Sequence, residues 1–231
     1  MQAQFSLQSE LYPKLTPAGA YFAVSGNAEN PSRTFLCNVL GERKPINATA
    51  EKVQAWGQTD NLESAVNILY RLQKLEFITG TLEPELVSAN NMEATLPDLL
   101  KQLSDTGRAL LANDTGLYIA ESGFHHESAE EISALAGEVI RLSEQHALLI
   151  RNNLNINQSA WGICDPSGQS HLAFYPLYFG EYKFVLVIAG TPQLQSDAFV
   201  KWSRSYINVT VLIFILEVGE FKCVNKCSSL F

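Results

Sequence analysis

The stretch RALLANDTGLYIAESGFHHESAEEISALAGEVIRLSEQH, residues Arg108–His146, decides how the chain reads. Ala109–Ala112 and Leu117–Ala120 are short apolar runs, and between them Asn113, Asp114, Thr115 and Gly116 supply turn chemistry, with Gly116 free to adopt φ > 0. This pattern predicts a β-hairpin. Ser128 is then placed to cap a helix whose first turn carries Glu130 and Glu131, where the helix dipole favours negative charge, and Glu131 completes a capping box with Ser128. Along that helix Ile132, Leu135, Val139, Leu142 and Leu149 form one apolar stripe expected to be buried. Glu130, Glu138, Arg141, Glu144 and Gln145 are expected to face outward, and the helix should stop by Asn152-Asn153.

Downstream, three strands are predicted. Ala160–Asp165 turns through Pro166-Ser167-Gly168 into His171–Phe179, and Gly180-Glu181 turns into Tyr182–Ala189. The core of the last run is apolar at every position, as expected of a strand inside a sheet with both faces covered. Gln195–Leu216 reads as a closing helix, although its β-branched second half, around 208–217, would equally permit a strand. The tail, 218–231, has no clear periodicity. Immediately upstream of the hairpin, Leu96–Leu103 reads as a helix with Thr95 as cap, Pro97 in the first turn and Gly107 just past the end.

Further upstream the punctuation changes. Residues 1–30 carry Pro13, Pro17, Gly19 and Gly26 around the apolar patch Tyr21–Val24, and are expected to form an irregular arm with at most one strand. From Pro31 three short helices follow. The first has Phe35, Leu36, Val39 and Leu40 on one face and ends at Gly41. The second is capped by Thr49, buries Val53 and Trp56 and stops at Gly57. The third runs from Asn61 or Leu62 to Lys74, with Leu62, Ala65, Val66, Leu69, Leu72 and Leu75 at helical spacing. Phe77–Thr81 reads as a short strand and turn. A polar connector at 82–94 marks a domain boundary, giving an arm at 1–30, a helical domain at 31–90 and an α/β domain at 95–217.

The three helices and the phrase ILYRLQKLEFI (68–78) resemble a winged helix-turn-helix domain. That resemblance implies a third helix able to lie in a DNA major groove. The charge does not suit this role: acidic residues outnumber basic ones over 1–94, and Asp60 and Glu63 stand at the start of the third helix. Arg43, Lys44 and Lys52 form the only basic cluster that DNA contact could use, and that cluster reads most simply as a solvated face. A protein-protein adaptor of the same fold fits the charge better, and nucleic acid is an unlikely partner.

The bulk numbers point the same way. The chain has 231 residues, is 46% hydrophobic and carries a net charge of −8, so it can bury a sizeable core and is poorly suited to non-specific polyanion binding. Cys37, Cys164, Cys223 and Cys227 lack a disulfide framework, and the first residues lack the basic-then-apolar pattern of a secretory signal, so a cytoplasmic, reduced protein is expected. Val209–Leu216, the longest strongly apolar run, falls far short of the ~20 residues that span a bilayer. No enzyme constellation stands out. Cys164 falls in a strand, His125-His126 in a loop, His146 on the long helix, and His171 opens a strand with no partner visible in sequence. Asp114 and Gly116 belong to a turn rather than a phosphate loop, and adjacent Glu130 and Glu131 point in different directions on a helix.

The order helix, hairpin, long helix, three-stranded meander, closing helix over 95–217 resembles the roadblock domain, a relative of the longin and profilin-like folds. The residues that carry the resemblance are LLANDTGLYIA (110–120), SAEEISALAGEV (128–139) and the apolar last strand ending at Ala189-Gly190. It implies an α/β protein with a five-stranded antiparallel sheet and flanking helices, here preceded by the winged-helix-like domain. It also implies interaction rather than catalysis. Roadblock proteins dimerise by pairing their third strands edge to edge and packing their long second helices together. Carried over, the dimer interface is expected at Trp161 and Ile163 of the strand and Leu135, Val139 and Leu142 of the helix, with no cofactor. The partners implied are a second copy of the chain and a Ras-like small GTPase or another protein assembly. The alternative is a transcriptional regulator whose winged helix binds DNA while the second domain dimerises or senses a ligand.

Overall fold

The computed structural model describes residues 7–27, 29–84, 92–180 and 182–208, with 92–94 as backbone only. The Tyr21–Val24 patch of the N-terminal segment lies in helix α1 (Pro17–Val24), and the strand of that segment is β1 (Tyr12–Leu15). Pro17 pre-sets the first helical φ, and Thr16 Oγ1 accepts a hydrogen bond from the Gly19 N–H, so the patch is started as a helix by its own local chemistry. The next three helices match the sequence reading: α2 (Pro31–Leu40) is capped by Asn30, α3 (Ala50–Gly57) by Thr49 and α4 (Leu62–Lys74) by Asn61. Leu62 and Leu75 of the expected α4 stripe are exposed, while Ala65, Leu69 and Leu72 are buried.

Strand β2 (Ile78–Thr81) follows α4, and its partner is β1, antiparallel, from Tyr12↔Thr81 to Leu15↔Ile78. The connector expected at 82–94 falls partly outside the described residues. The helices on either side of it share one apolar core, which runs from Phe35, Leu36, Trp56 and Leu72 to Leu100, Leu186 and Trp202.

Helix α5 (Met92–Lys101) starts earlier than the sequence suggested, so Thr95 lies inside it rather than at its cap and Pro97 is interior. Strands β3 (Ala109–Asn113) and β4 (Tyr118–Ser122) form the hairpin, and helix α6 (His126–Gln145) follows. A π-helical turn, Leu149–Asn153, continues the chain towards β5 (Trp161–Cys164), β6 (Ser170–Phe179) and β7 (Tyr182–Ala189). Residues 197–208 form a final helix, α7; the expected second half of that segment, and the tail with Cys223 and Cys227, lie outside the described residues.

The five strands form one antiparallel sheet in the order β4-β3-β7-β6-β5. This is the mixed α/β architecture the roadblock resemblance implied, with the third strand at an edge. Phe184–Ala189 are all buried, because α6 covers one face of β7 and the larger core covers the other. Val185 and Val187 meet α6, and Phe184, Leu186 and Ile188 meet α5, α7 and the N-terminal helices. Around α7, Trp202 stacks on Phe199 and Tyr206 at centroid distances of 5.7 Å each and meets Phe179 edge-on at 5.9 Å. Burying side chains of this size is worth about 1.5–3 kcal/mol each in transfer terms.

Two features of α6 differ from the sequence reading. His125 occupies the cap position and no side chain caps the helix, so Ser128 lies inside the first turn and forms no capping box with Glu131. The start is held from outside instead, by the hydrogen bond between Tyr118 Oη and His126 Nδ1 (2.6 Å) and by the Phe124 N–H donating to Glu121 Oε2 (3.1 Å). The buried face is also different: it consists of Ala129, Ser133, Ala136, Gly137 and Ile140, while Leu135, Leu142 and Leu149 are exposed. Close approach is the reason. A Cβ on Gly137 would lie 3.3 Å from Cα and N of Gly116, so the helix rests directly on the hairpin turn and only small residues fit beneath it.

Candidate interaction surface

Helical geometry sets the surface up. At 100° per residue, Ile132, Leu135, Val139 and Leu142 form a stripe beside the buried one, on the flank turned away from Gly137 and the β3–β4 turn. Helix α6 as a whole lies against β3, β4, β7 and β6. Ile132 and Val139 are half-buried against the smaller core, whereas Leu135 and Leu142 are 40% and 42% exposed. All five outward-expected polar residues, Glu130, Glu138, Arg141, Glu144 and Gln145, are exposed. Lys183 of β7 pairs with Glu144 and ties the end of α6 to the sheet.

Strand β5 pairs with β6 on one side only, Trp161↔Phe174, Gly162↔Ala173 and Ile163↔Leu172, with a register shift before Cys164. Trp161 and Ile163 therefore share a face with Phe174 and Leu172, the face on which α6 lies. Trp161 is half-buried against the smaller core, and Ile163 is 55% exposed. Beyond the reach of β5, β6 continues to Phe179 and carries Pro176, which has no N–H to offer. The structure thus brings Trp161, Ile163, Leu135, Val139 and Leu142 to one side of the molecule. The opposite edge, β4, is packed by α5.

The basic cluster is less coherent. Arg43 and Lys44 are exposed, but Lys52 Nζ pairs with Glu42 Oε1 at 3.0 Å, and the same oxygen accepts from Trp56 Nε1 at 2.8 Å. Asp60 and Glu63 are exposed at the start of α4.

The histidines have partners the sequence did not reveal. His126 begins α6 and faces Glu130 at 3.5 Å as well as Tyr118, and His171 lies 3.7 Å from Asp165 across the β5–β6 turn. The Asp165 carboxylate is held below its usual pKa, chiefly by the Ser167 hydroxyl and then by the Gln169 N–H. These groups are solvated turn and helix-start contacts. Among the described residues no group of three or more His, Cys, Asp or Glu is arranged to hold a metal ion, and no helix is long and apolar enough to cross a membrane. Cys164 is exposed on the edge strand rather than packed in the core. Sequence reading also missed an exposed apolar run past α6, with Leu148 76% exposed and Leu154 and Ile156 also outward. Its composition reads as core, and only the path of the π-helical turn exposes it.

No protein-family model matches the chain, and no curated protein matches it. Among solved structures, the chain is similar to a Roadblock/LC7 domain from Streptomyces avermitilis, at 16% identity over 55% of this chain and 99% of that one, with a TM-score of 0.35.

Proposed function

We propose that this is a non-enzymatic interaction protein that forms a symmetric homodimer through β5 and the Ile132–Leu142 flank of α6. In this reading the dimer acts in the cytoplasm as partner or regulator of a Ras-like small GTPase, or as a scaffold subunit. The observation that supports it is the juxtaposition of an unpaired strand edge with exposed Ile163, Leu135 and Leu142 on the same side of the sheet. An unpaired edge is a template for another chain, and two-fold pairing of β5 with its copy satisfies both edges at once while the apolar flanks of the two α6 helices cover each other. A stable interface of this kind buries about 800 Å² per partner. The helices α2–α4 serve in the same reading as a winged-helix-type protein adaptor rather than a DNA reader, in keeping with the neutralised Lys52 and the acidic start of α4.

The partner is tested by mixing the protein with small GTPases from the same source, loaded with GDP or a GTP analogue, and reading co-elution. Binding in one nucleotide state is expected; binding to none of them in either state would refute the GTPase assignment.

A further inference from the structure

Past α6 the chain forms a knuckle before it returns to the sheet. The Ile150 N–H donates to the His146 carbonyl at 3.0 Å, the Leu154 N–H to Leu149 at 3.1 Å and the Ile156 N–H to Ile150 at 3.0 Å, so the π-helical turn and the residues after it close into one hydrogen-bonded unit. Asn155 sits in it at φ +53°, a left-handed conformation that asparagine accepts more readily than most residues. Ala147 and Ile150 are half-buried at its base, and every residue from 151 to 158 is exposed.

The composition of the knuckle is at odds with this exposure. Leu148 is 76% exposed, Leu154 57%, Ile156 48% and Leu149 47%. Aliphatic side chains gathered at this density on one turn belong to a surface that an interaction hides from water. Charge says what hides it. The chain carries 24 acidic residues in 231, yet none lies between Glu144 and Asp165, and Arg151 stands exposed within the knuckle. The two carboxylates that bound this stretch have basic neighbours: Lys183 pairs with Glu144, and His171 lies 3.7 Å from Asp165. Glu127, Glu130 and Glu131 stand at the other end of α6, a helix of 20 residues and so about 30 Å long, which places them more than about two Debye lengths away at physiological salt.

We infer that the knuckle docks on an anionic bilayer, with Leu148, Leu149, Leu154 and Ile156 entering the interfacial layer and Arg151 remaining at the lipid phosphates. A bilayer surface offers an apolar layer beneath a negative one, and a long arginine stem reaches back from the first to the second. Asn152, Asn153, Asn155 and Asn157 are exposed between the apolar residues and carry neutral amides that suit the headgroup region. No helix among the described residues is long and apolar enough to cross a membrane, so the attachment is to its surface. The inference goes beyond the dimer reading and does not depend on β5 pairing.

The test is co-sedimentation of the full chain with vesicles of phosphatidylcholine alone and of phosphatidylcholine with about one-third phosphatidylserine. Expected is binding to the anionic vesicles with a partition constant of about 10³–10⁴ M⁻¹ that falls as salt is raised, and binding at least about fivefold weaker to phosphatidylcholine alone. Replacing Leu148→Ser and Leu154→Ser together should weaken binding to the anionic vesicles about tenfold or more, and Arg151→Gln about fivefold. All three positions are exposed, so these variants should melt at the wild-type temperature. Ile163→Lys, which breaks the proposed dimer, should still bind the anionic vesicles, so failure of the dimer reading leaves this result distinct. No binding to the anionic vesicles, equal binding to both compositions, or undiminished binding of the double serine variant would overturn the proposal. A wild-type dimer that ignores vesicles and becomes monomeric in the double serine variant would assign the knuckle to a second copy of the chain and overturn it as well.

Discussion

Replacing Gly19 by alanine sets two physical effects against each other. Gly19 lies inside α1, where alanine is worth about 1 kcal/mol more than glycine on helix propensity alone. At this position, however, a Cβ would lie 2.0 Å from the carbonyl oxygen of Phe77 and 2.7 Å from its carbon. Both are backbone atoms, so relief requires α1 to move off the segment that leads into β2. The same carbonyl accepts the Thr16 N–H at 3.1 Å, and Thr16 Oγ1 donates to the neighbouring Glu76 carbonyl at 2.7 Å. Overpacking of this kind costs about 1–3 kcal/mol, and losing one hydrogen bond adds about 1 kcal/mol. Packing therefore outweighs propensity, and Gly19→Ala should destabilise the protein by about 1–3 kcal/mol. Gly57→Ala is the control, since a Cβ there meets Thr59 Cγ2 at 3.4 Å and Ala65 Cβ at 3.5 Å, ordinary contacts; this variant should be neutral or up to about 1 kcal/mol more stable. Urea unfolding followed by circular dichroism reads both, with the midpoint falling for the first and holding or rising for the second at unchanged slope. A Gly19→Ala protein as stable as wild type would show that α1 does not rest on β2.

Two further outcomes follow from local chemistry. Asn113 Oδ1 accepts from the Thr115 N–H (3.1 Å), the Thr115 hydroxyl (2.8 Å) and the Leu117 N–H (2.8 Å), so Asn113→Ala should cost about 1–2 kcal/mol in thermal unfolding, and an unchanged midpoint would contradict that role. Burial raises the phenols of Tyr21, Tyr206 and Tyr175, the last to about 12. The folded chain therefore keeps protons that unfolded tyrosines release near pH 10, and stability should fall as pH rises from about 10 towards 12. Urea midpoints measured with phenolate absorbance across that window check this, and a flat profile would contradict it.

The parts of the fold that rest on neighbouring residues were legible in the sequence. Thr49 and the Pro31 start define short helices, Asn113–Gly116 defines the hairpin, and the unbroken apolar run of β7 announces a strand covered on both faces. Relationships set by distant residues were not legible. Tyr12 pairs with Thr81, and nothing local in the N-terminal segment specifies that partner. The buried side of α6 was misread for a related reason: leucine ranks above alanine and glycine as a core residue, but the hairpin turn beneath the helix admits only small side chains, so Leu135 and Leu142 are displaced to the flank. The five residues expected at the interface still share one side of the molecule, because the strand and helix that carry them were placed correctly.

Sedimentation of the full chain and its Ile163→Lys variant tests the central claim most directly. Ile163 is 55% exposed, so lysine at this site leaves the monomer fold intact, and in a two-fold β5 pairing the charge enters the interface twice. The account predicts a wild-type dimer and a variant that sediments as a monomer with an unchanged circular dichroism spectrum. A wild-type protein that remains monomeric at every concentration tested, or a variant that dimerises as well as wild type, would contradict it.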